Sequence, residues 1–336
     1  MRILITGGAG FVGSHFVRSA LTAQYPSLAG AHLVVLDKLT YAGNLANLEP
    51  VIGSPHLEFV PGDIRDATLV RALTARVDEV IHFAAESHVD RSIADASSFV
   101  RTNVDGTQVL LDAALQYGVE RFLYISTDEV YGSITRGSCD ETSPLKPSSP
   151  YSASKAAGDL LAQAYHRTHG VPVIVTRSSN NYGPYQYPEK AIPLFVTSLL
   201  DGNPVPLYGD GSHRRDWLHA DDHCRAVELV RTTGRVGEVY NIGAETELSN
   251  IELTQSLLDL LGFTWDAVCH VADRPGHDHR YSVDTTKIRT ELGFRPLTPI
   301  SEGLPQTVAW YRDNRPWWEP LKHAPSGSGR SGAKEA

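Results

Sequence analysis

Arg2-Ile3-Leu4-Ile5-Thr6-Gly7-Gly8-Ala9-Gly10-Phe11-Val12-Gly13 is the stretch that decides the fold. Its first residues form a short aliphatic run that reads as a buried strand, and glycines follow without a break. They fit Gly-x-Gly-x-x-Gly from Gly8 and Gly-x-x-Gly-x-x-Gly from Gly7. A helical pattern begins at once, so the glycines stand where a strand hands over to a helix. A dinucleotide-binding turn needs that context. Without side chains the backbone can approach a pyrophosphate, and the helix N-terminus offers free N–H groups and a positive dipole end. A tight turn needed only for packing would carry the same glycines. The acid at the end of the next apolar run, His32-Leu33-Val34-Val35-Leu36-Asp37, argues for the ligand. A carboxylate there accepts from an adenosine ribose and repels a 2′-phosphate. NAD is favoured over NADP on that ground, with neighbouring Lys38 weakening the exclusion. A P-loop is excluded, because no Gly-Lys-Ser/Thr follows.

Outward from this turn the first half alternates strands and helices. Strand patterns fall at 2–6, 32–37, 57–60, 79–84, 121–126 and 171–177, with helical patterns near 12–24, 66–76, 97–117 and 151–169. Near-continuous apolar strands separated by helices predict an α/β fold, a Rossmann-type doubly wound parallel sheet covered on both faces. Beyond about 185 the rhythm changes to Pro/Gly-rich loops and irregular helices near 190–200, 221–232, 250–261 and 302–313. We read 1–185 as the NAD-binding domain and 186–320 as a smaller C-terminal α/β region that supplies substrate contacts. The segment 221–243 is a candidate to return to the sheet, and 321–336 reads as a disordered small-polar tail.

Composition narrows the function. A net charge of −9 without like-charge blocks argues against a nucleic-acid footprint. An anionic ligand must then be held by a few placed cations and N–H groups. Three scattered cysteines, Cys139, Cys224 and Cys269, make no CxxC pair and suit a reducing cytoplasm. No run is apolar enough for a membrane span, and the N-terminus does not read as a signal peptide.

Two constellations carry chemistry. Tyr151-Ser152-Ala153-Ser154-Lys155 opens a helix after Pro150 and places Tyr151 and Lys155 on one face. A lysine cation there favours the phenolate, which can act as base toward a sugar hydroxyl. Ser126-Thr127-Asp128-Glu129 leaves the C-terminal end of the fifth strand, where ligands of open α/β sheets bind. Two adjacent carboxyls at that place can divide acid and base work if their surroundings differ. A dehydrating enzyme needs both: one removes a carbon-bound proton, the other protonates the departing hydroxyl. The plainer reading of such a pair is a solvated loop acid.

With Phe83-Ala84-Ala85-Glu86-Ser87-His88-Val89-Asp90-Arg91-Ser92 and Asn180-Asn181-Tyr182-Gly183-Pro184 added, these segments lie in the order found in a known family. The chain resembles the extended short-chain dehydrogenases/reductases over about 1–320 and, within them, the dTDP-glucose 4,6-dehydratases. The Thr127-Asp128-Glu129 triplet is the specific part, since C4-epimerases of this scaffold lack the acid pair there. The resemblance implies a homodimer and a tightly bound NAD, NAD⁺ in the resting form, acting on a dTDP-hexose. It assigns Thr127, Asp128, Glu129, Tyr151 and Lys155 to catalysis. Tyr151, helped by Thr127 and Lys155, takes the C4 hydroxyl proton. Glu129 removes the C5 proton, and Asp128 protonates the C6 hydroxyl.

The same resemblance assigns cofactor contacts to Gly7, Gly10, Phe11, Val12, Gly13, Asp37, Lys38, Leu39 and Thr40. Asp63, Ile64, Phe83, Ala84, Ala85, Ser87, Thr102 and Asn181 join them, with Tyr151 and Lys155. Substrate contacts fall to Ser87, Thr127, Asn180, Lys190, Ala191, Pro206, Tyr208, Arg215, Asn250, Arg274 and His277. Ala191 stands where the family has a larger aliphatic residue, and Ser178-Ser179 replaces a Cys-containing pair. His219/His223 and His277/His279 carry spacings compatible with a metal, yet neither pair has an evident third ligand, and no metal is expected. Trp317-Trp318 reads as the anchor of the last helix. Two other functions suit the scaffold. An epimerase would need no acid at 128 and 129, and a non-catalytic NAD sensor would be expected to lack Tyr151 or Lys155.

Overall fold

Ile3, Leu4 and Ile5 are fully buried in the first strand of a parallel sheet, as their apolar run predicts. The structure is a computed structural model and describes residues 1–322. In chain order the strands are β1 (Arg2–Thr6), β2 (His32–Asp37), β3 (Leu57–Pro61), β4 (Glu79–His82), β5 (Arg121–Thr127) and β6 (Val173–Ser178). They continue with β7 (Asn180–Tyr182), β8 (Val205–Tyr208), β9 (Arg214–His219), β10 (Val239–Ile242), β11 (Glu247–Ser249) and β12 (Val268–Val271). Seven of them form one sheet in the order β10-β6-β5-β4-β1-β2-β3, parallel throughout. The strand order reverses between β1 and β4, and a crevice opens there at the C-terminal strand ends.

Successive residues of β1 point to opposite faces and join two different cores. Ile3 and Ile5 pack with Phe16, Val17 and Val227, while Leu4 packs with Leu110, Leu111 and Ala162. Each fully buried side chain of this size contributes about 1.5–3 kcal/mol before entropy costs. The chain does return to the sheet late: Tyr240 of β10 pairs with Thr176 of β6. Between β6 and the helix Pro150–His169, Arg177 Nε meets Asp159 Oδ2 at 2.9 Å, both fully buried. This pair fixes the helix that carries Tyr151 and Lys155 against the strand beside it.

The pattern at 97–117 predicts one helix, whereas the structure breaks it. Ser97–Val100 and Thr107–Tyr117 are α-helical, and Arg101–Gly106 between them winds as a π-turn. The wider turn brings Asn103 inward. Its side chain accepts from the Glu86 N–H at 2.9 Å and donates to Ser154 Oγ at 2.8 Å. These tertiary partners outweigh the helical pattern.

The C-terminal region contains more strand than its helical reading suggests. β11-β9-β7 and β12-β8 form two small sheets. Four of these five strands have only three or four residues, too short a pattern to register, and the six-residue β9 is rich in charged residues. A third core, with Tyr182, Trp217, Leu253 and Tyr311, holds this region together. Trp318 is fully buried and its indole N–H donates to the Tyr311 carbonyl at 2.6 Å, while Trp317 reaches Asn47 Oδ1 at 2.9 Å. The last described helix, Arg315–Lys322, takes in 321 and 322, so the expected tail cannot begin at 321. The remainder of that tail, 323–336, lies outside the described residues.

Candidate active site

The glycine turn forms one wall of a cavity of about 300 Å³ at the switch point. Its geometry leaves no room for side chains. A Cβ on Gly7, whose φ is +71°, would lie 2.5 Å from the Ala84 nitrogen, and one on Gly13 would lie 2.3 Å from the Gly7 carbonyl oxygen. The helix Phe11–Leu21 starts at Gly10 with no side chain capping it, so its first N–H groups are available to an anion. A pyrophosphate fits this cradle, and the residues present therefore suit a dinucleotide. Gly13→Ala is expected to lower NAD affinity by at least about tenfold, because the turn must open by a backbone shift. Equilibrium titration of the folded variant checks this, and unchanged affinity would show that the turn does not meet the cofactor.

On the adenosine side the cavity is lined by Asp37, Lys38, Thr40, Asp63 and Ile64. Asp37 Oδ2 accepts the Ala9 N–H at 2.9 Å and Oδ1 the Leu39 N–H at 2.8 Å, so the carboxylate also braces the glycine turn. Burial pushes its pKa up, and those two N–H groups oppose the shift. Lys38 Nζ lies 2.9 Å from Asp63 Oδ2. Although burial opposes it, pairing with Arg65 and Lys38 holds Asp63 well below the usual carboxylate range. Arg65 also pairs with Asp63, so Lys38 shares that carboxylate with a second cation. Leu39 is the exception among the expected contacts. Its side chain is 39% exposed and outside the cavity lining, because a φ of +55° turns the chain at that residue.

Gly10, Phe11, Val12, Phe83, Ala84, Ala85, Thr102 and Asn181 line the central part. The reaction end gathers Ser87, Thr127, Asp128, Glu129, Tyr151, Lys155, Asn180 and Lys190. Three elements deliver Thr127, Asp128, Glu129, Tyr151 and Lys155. β5 ends at Thr127, and a single 3-10 turn, Asp128–Tyr131, presents both acids. The helix Pro150–His169 is started by a Ser149/Ser152 capping box with Pro150 in its first turn, which aims Tyr151 and Lys155 inward. Both are buried, and Lys155 Nζ donates to the Ile125 carbonyl at 2.7 Å.

The two acids have unlike surroundings. Asp128 is 2% exposed; its Oδ1 accepts from Thr127 Oγ1 at 3.2 Å, and its Oδ2 has no hydrogen-bond partner among the described residues. Burial first, then the charge of Glu129, raises its pKa well above the ordinary carboxylate value, which favours its protonated form. Burial also raises Glu129, but Lys190, Arg215 and Arg274 pull it back. Burial beside a second acid favours the protonated form at Asp128, and the cations facing Glu129 favour its ionised form. For Tyr151 the structure corrects the expectation. Burial, followed by Glu129, raises its hydroxyl pKa well above the ordinary value, and only a hydrogen bond with Thr127 opposes them. Lys155 is itself lowered to about 8 by burial, with Asp159 opposing. Phenolate formation therefore depends on positive charge added to the cavity.

The remaining expected substrate residues form a second group beside the cavity. Tyr208 stacks edge-on with His277 at 5.9 Å, the Arg274 guanidinium lies 5.9 Å from the Tyr208 ring, and the Asn250 N–H donates to the His213 carbonyl at 2.9 Å. Pro206 sits beside Cys269 in the β8–β12 pair, and Ala191 opens the helix Ala191–Leu200. Arg215 is buried and donates to the Asp278 carbonyl at 2.7 Å and the His279 carbonyl at 3.2 Å, which occupies it with the 278–279 loop. Its charge still reaches Asp128 and Glu129.

Two features escaped the sequence. Tyr281 Oη donates to Asp278 Oδ2 at 2.6 Å and stands 3.4 Å from Glu129 Oε2. No local pattern could join residues so far apart in the chain. His213, Asp273 and His277 place potential metal-ligand atoms within 4.8 Å of one another. His277 Nδ1, however, is engaged with Asp273 Oδ1 at 2.6 Å, and the two imidazoles stack at 3.7 Å and 15°. Near-parallel rings do not converge their lone pairs on a common point.

Comparison with known proteins places these observations. A family model described as GDP-mannose 4,6 dehydratase matches residues 4–307. The dTDP-glucose 4,6-dehydratase of Streptomyces niveus is 60% identical over 332 residues, 99% of each chain. That of Streptomyces antibioticus is 61% identical over 328 residues, 97% of each chain. Among solved structures, a dTDP-glucose 4,6-dehydratase from Streptomyces venezuelae with NAD and TYD bound is 61% identical, with a TM-score of 0.95. The match covers 96% of this chain and 100% of that one.

Proposed function

The chain belongs to the GDP-mannose 4,6 dehydratase family, and we propose that within it the protein converts dTDP-glucose to dTDP-4-keto-6-deoxyglucose with NAD as a resident cofactor. One observation carries this reading: Asp128, buried beside Glu129 so that its protonated form is favoured, and a cation-facing Glu129 share a cavity with Tyr151 and Lys155. An epimerase on this scaffold has no use for that pair.

Gly7, Gly10, Phe11, Val12 and Gly13 hold the pyrophosphate, and Asp37 holds the adenosine end. NAD supplies a hydride acceptor for C4 and, later, the hydride donor for C6. Tyr151 takes the proton of the C4 hydroxyl, oriented through Thr127, with Lys155 the nearest lysine on its helix. The C4 ketone acidifies C5–H, so Glu129 removes that proton. Asp128 gives its proton to the C6 hydroxyl, and water leaves. Glu129 then returns a proton to C5. Asp128 and Glu129 thus supply the acid and the base of one elimination, and no second redox substrate is required. Lys190 Nζ donates to the Ser87 carbonyl at 2.5 Å, and Lys190, Arg215 and Arg274 surround the acids with the positive charge that an anionic nucleotide sugar needs.

We also assign the protein to the cytoplasm and to a homodimer. Three free cysteines support the first, and among the described residues no helix is long and apolar enough to cross a membrane. Leu160, 55% exposed, and Leu115, 42% exposed, lie on the packed helices Pro150–His169 and Thr107–Tyr117 and support the second.

The test is incubation with dTDP-glucose deuterated at C4, without added NAD. The expected product has lost water and carries the deuterium at C6 by NMR. A galacto-configured product of unchanged mass would refute the dehydratase reading.

A further inference from the structure

His223 lines the same cavity, and the mechanism above does not use it. It stands on the helix Ala220–Thr233, which packs against the helix Phe11–Leu21 that follows the glycine turn. The next residue, Cys224, directs its Sγ to the Val12 carbonyl at 3.5 Å. That contact places this turn of the helix under the pyrophosphate cradle. His223 is 1% exposed, and neither Nδ1 nor Nε2 has a hydrogen-bond partner among the described residues. A polar side chain buried without partners costs about 1–3 kcal/mol. An apolar residue would avoid that cost at this position. Two other lining atoms share the condition, Ser126 Oγ at the end of β5 and Asn181 Oδ1 in β7. Ser126 and Asn181 end or follow the β5–β6 side of the sheet and the helix of His223 packs against β6, β7 and β10, whereas Asp37 and Asp63 belong to the β2–β3 side across β1. Burial lowers the imidazole pKa to about 3, with the charge of His15 adding to it, so the ring stays neutral and offers one donor and one acceptor.

We propose that His223 is a cofactor-holding residue, hydrogen-bonding from the cavity floor to the half of the dinucleotide that runs from the diphosphate to the nicotinamide. This inference rests on the NAD reading above. A neutral imidazole suits the task because it pairs with polar groups without setting a second cation beside the nicotinamide. Retention matters here, since the cofactor must stay in place between giving up and regaining its hydride.

His223→Leu keeps volume and apolarity and removes both ring nitrogens, whereas His223→Gln keeps a donor and an acceptor. The full chain is purified without added NAD, the retained dinucleotide is released by acid and quantified, and the Kd of the stripped protein is titrated. His223→Leu is expected to weaken NAD binding by about tenfold or more, with the melting temperature of the stripped protein no lower than that of wild type. His223→Gln is expected to stay within about threefold of wild type. If His223→Leu does not fold, the ring ¹⁵N resonances of His223 in wild type decide, and they are expected to shift on NAD addition. Wild-type affinity in the leucine variant, or ring resonances unmoved by NAD, would overturn the assignment. A wild-type chain that itself fails to bind NAD would overturn the dinucleotide reading and this inference with it. The wild-type titration therefore separates the two failures.

Discussion

Asp128→Asn is expected to slow water loss by about 10²–10⁴-fold, the usual contribution of a positioned acid, while C4 oxidation changes by less than about threefold. The asymmetry follows from the proton inventory. Burial and Glu129 favour the protonated form of Asp128, and asparagine keeps the shape but has no acidic proton for the C6 hydroxyl. C4 oxidation uses Tyr151 and does not draw on that proton. Single-turnover kinetics with substrate deuterated at C4 separates the steps, because NADH absorbance should build up in the variant before product forms. Equal slowing of both steps would show that Asp128 is not the acid of the elimination. The pH dependence has a fixed sign. Elimination by the wild type should fall as pH rises through the raised pKa of Asp128. It should also fall at low pH, once Glu129 is protonated and can no longer accept the C5 proton.

Tyr151→Phe is expected to lower the rate of C4 oxidation by about 10³-fold or more with little change in NAD binding, since it deletes the one base at that hydroxyl. Substrate affinity should move by no more than about tenfold, the upper value of one neutral hydrogen bond. Burial and Glu129 hold the tyrosine in its neutral form, so its activation requires added positive charge. Wild-type activity with the cofactor's charge present, together with a phenolate band that emerges only when NAD⁺ is added, would support this account. A phenolate band of equal size without NAD⁺ would show that Lys155 alone activates Tyr151. A Tyr151→Phe variant that retains more than about a tenth of wild-type oxidation would remove Tyr151 from the base role.

These expectations depend on features that sequence and structure supply unequally. Strand β1, the glycine turn and Asp37 are legible because each is a local pattern with one physical cause. A buried strand must be apolar, and a turn with 2.3 Å between a hypothetical Cβ and a carbonyl must be glycine. The fifth strand and the acids after it are legible for the same reason. The π-turn at Arg101–Gly106 is not, because its cause is the partners of Asn103, which come from Glu86 and Ser154. The three-residue strands β7 and β11 are hidden because pairing with β9 on either side of it, with too few residues for an apolar alternation, makes them strands.

Sequence by itself determined the parallel α/β sheet and the dinucleotide turn, and it singled out Tyr151, Lys155, Asp128 and Glu129 as the candidate chemical groups. Residue types and spacings encode these, since hydrophobic period and turn sterics act within a few residues. The tertiary structure alone decided the state of those groups. It favoured the protonated form of Asp128 by burying it beside Glu129, set Glu129 among Lys190, Arg215 and Arg274, raised Tyr151 instead of lowering it, and left His223 without a partner under the cradle among the described residues. Desolvation and charge proximity are properties of what the fold brings together from distant parts of the chain, and a linear sequence does not display them.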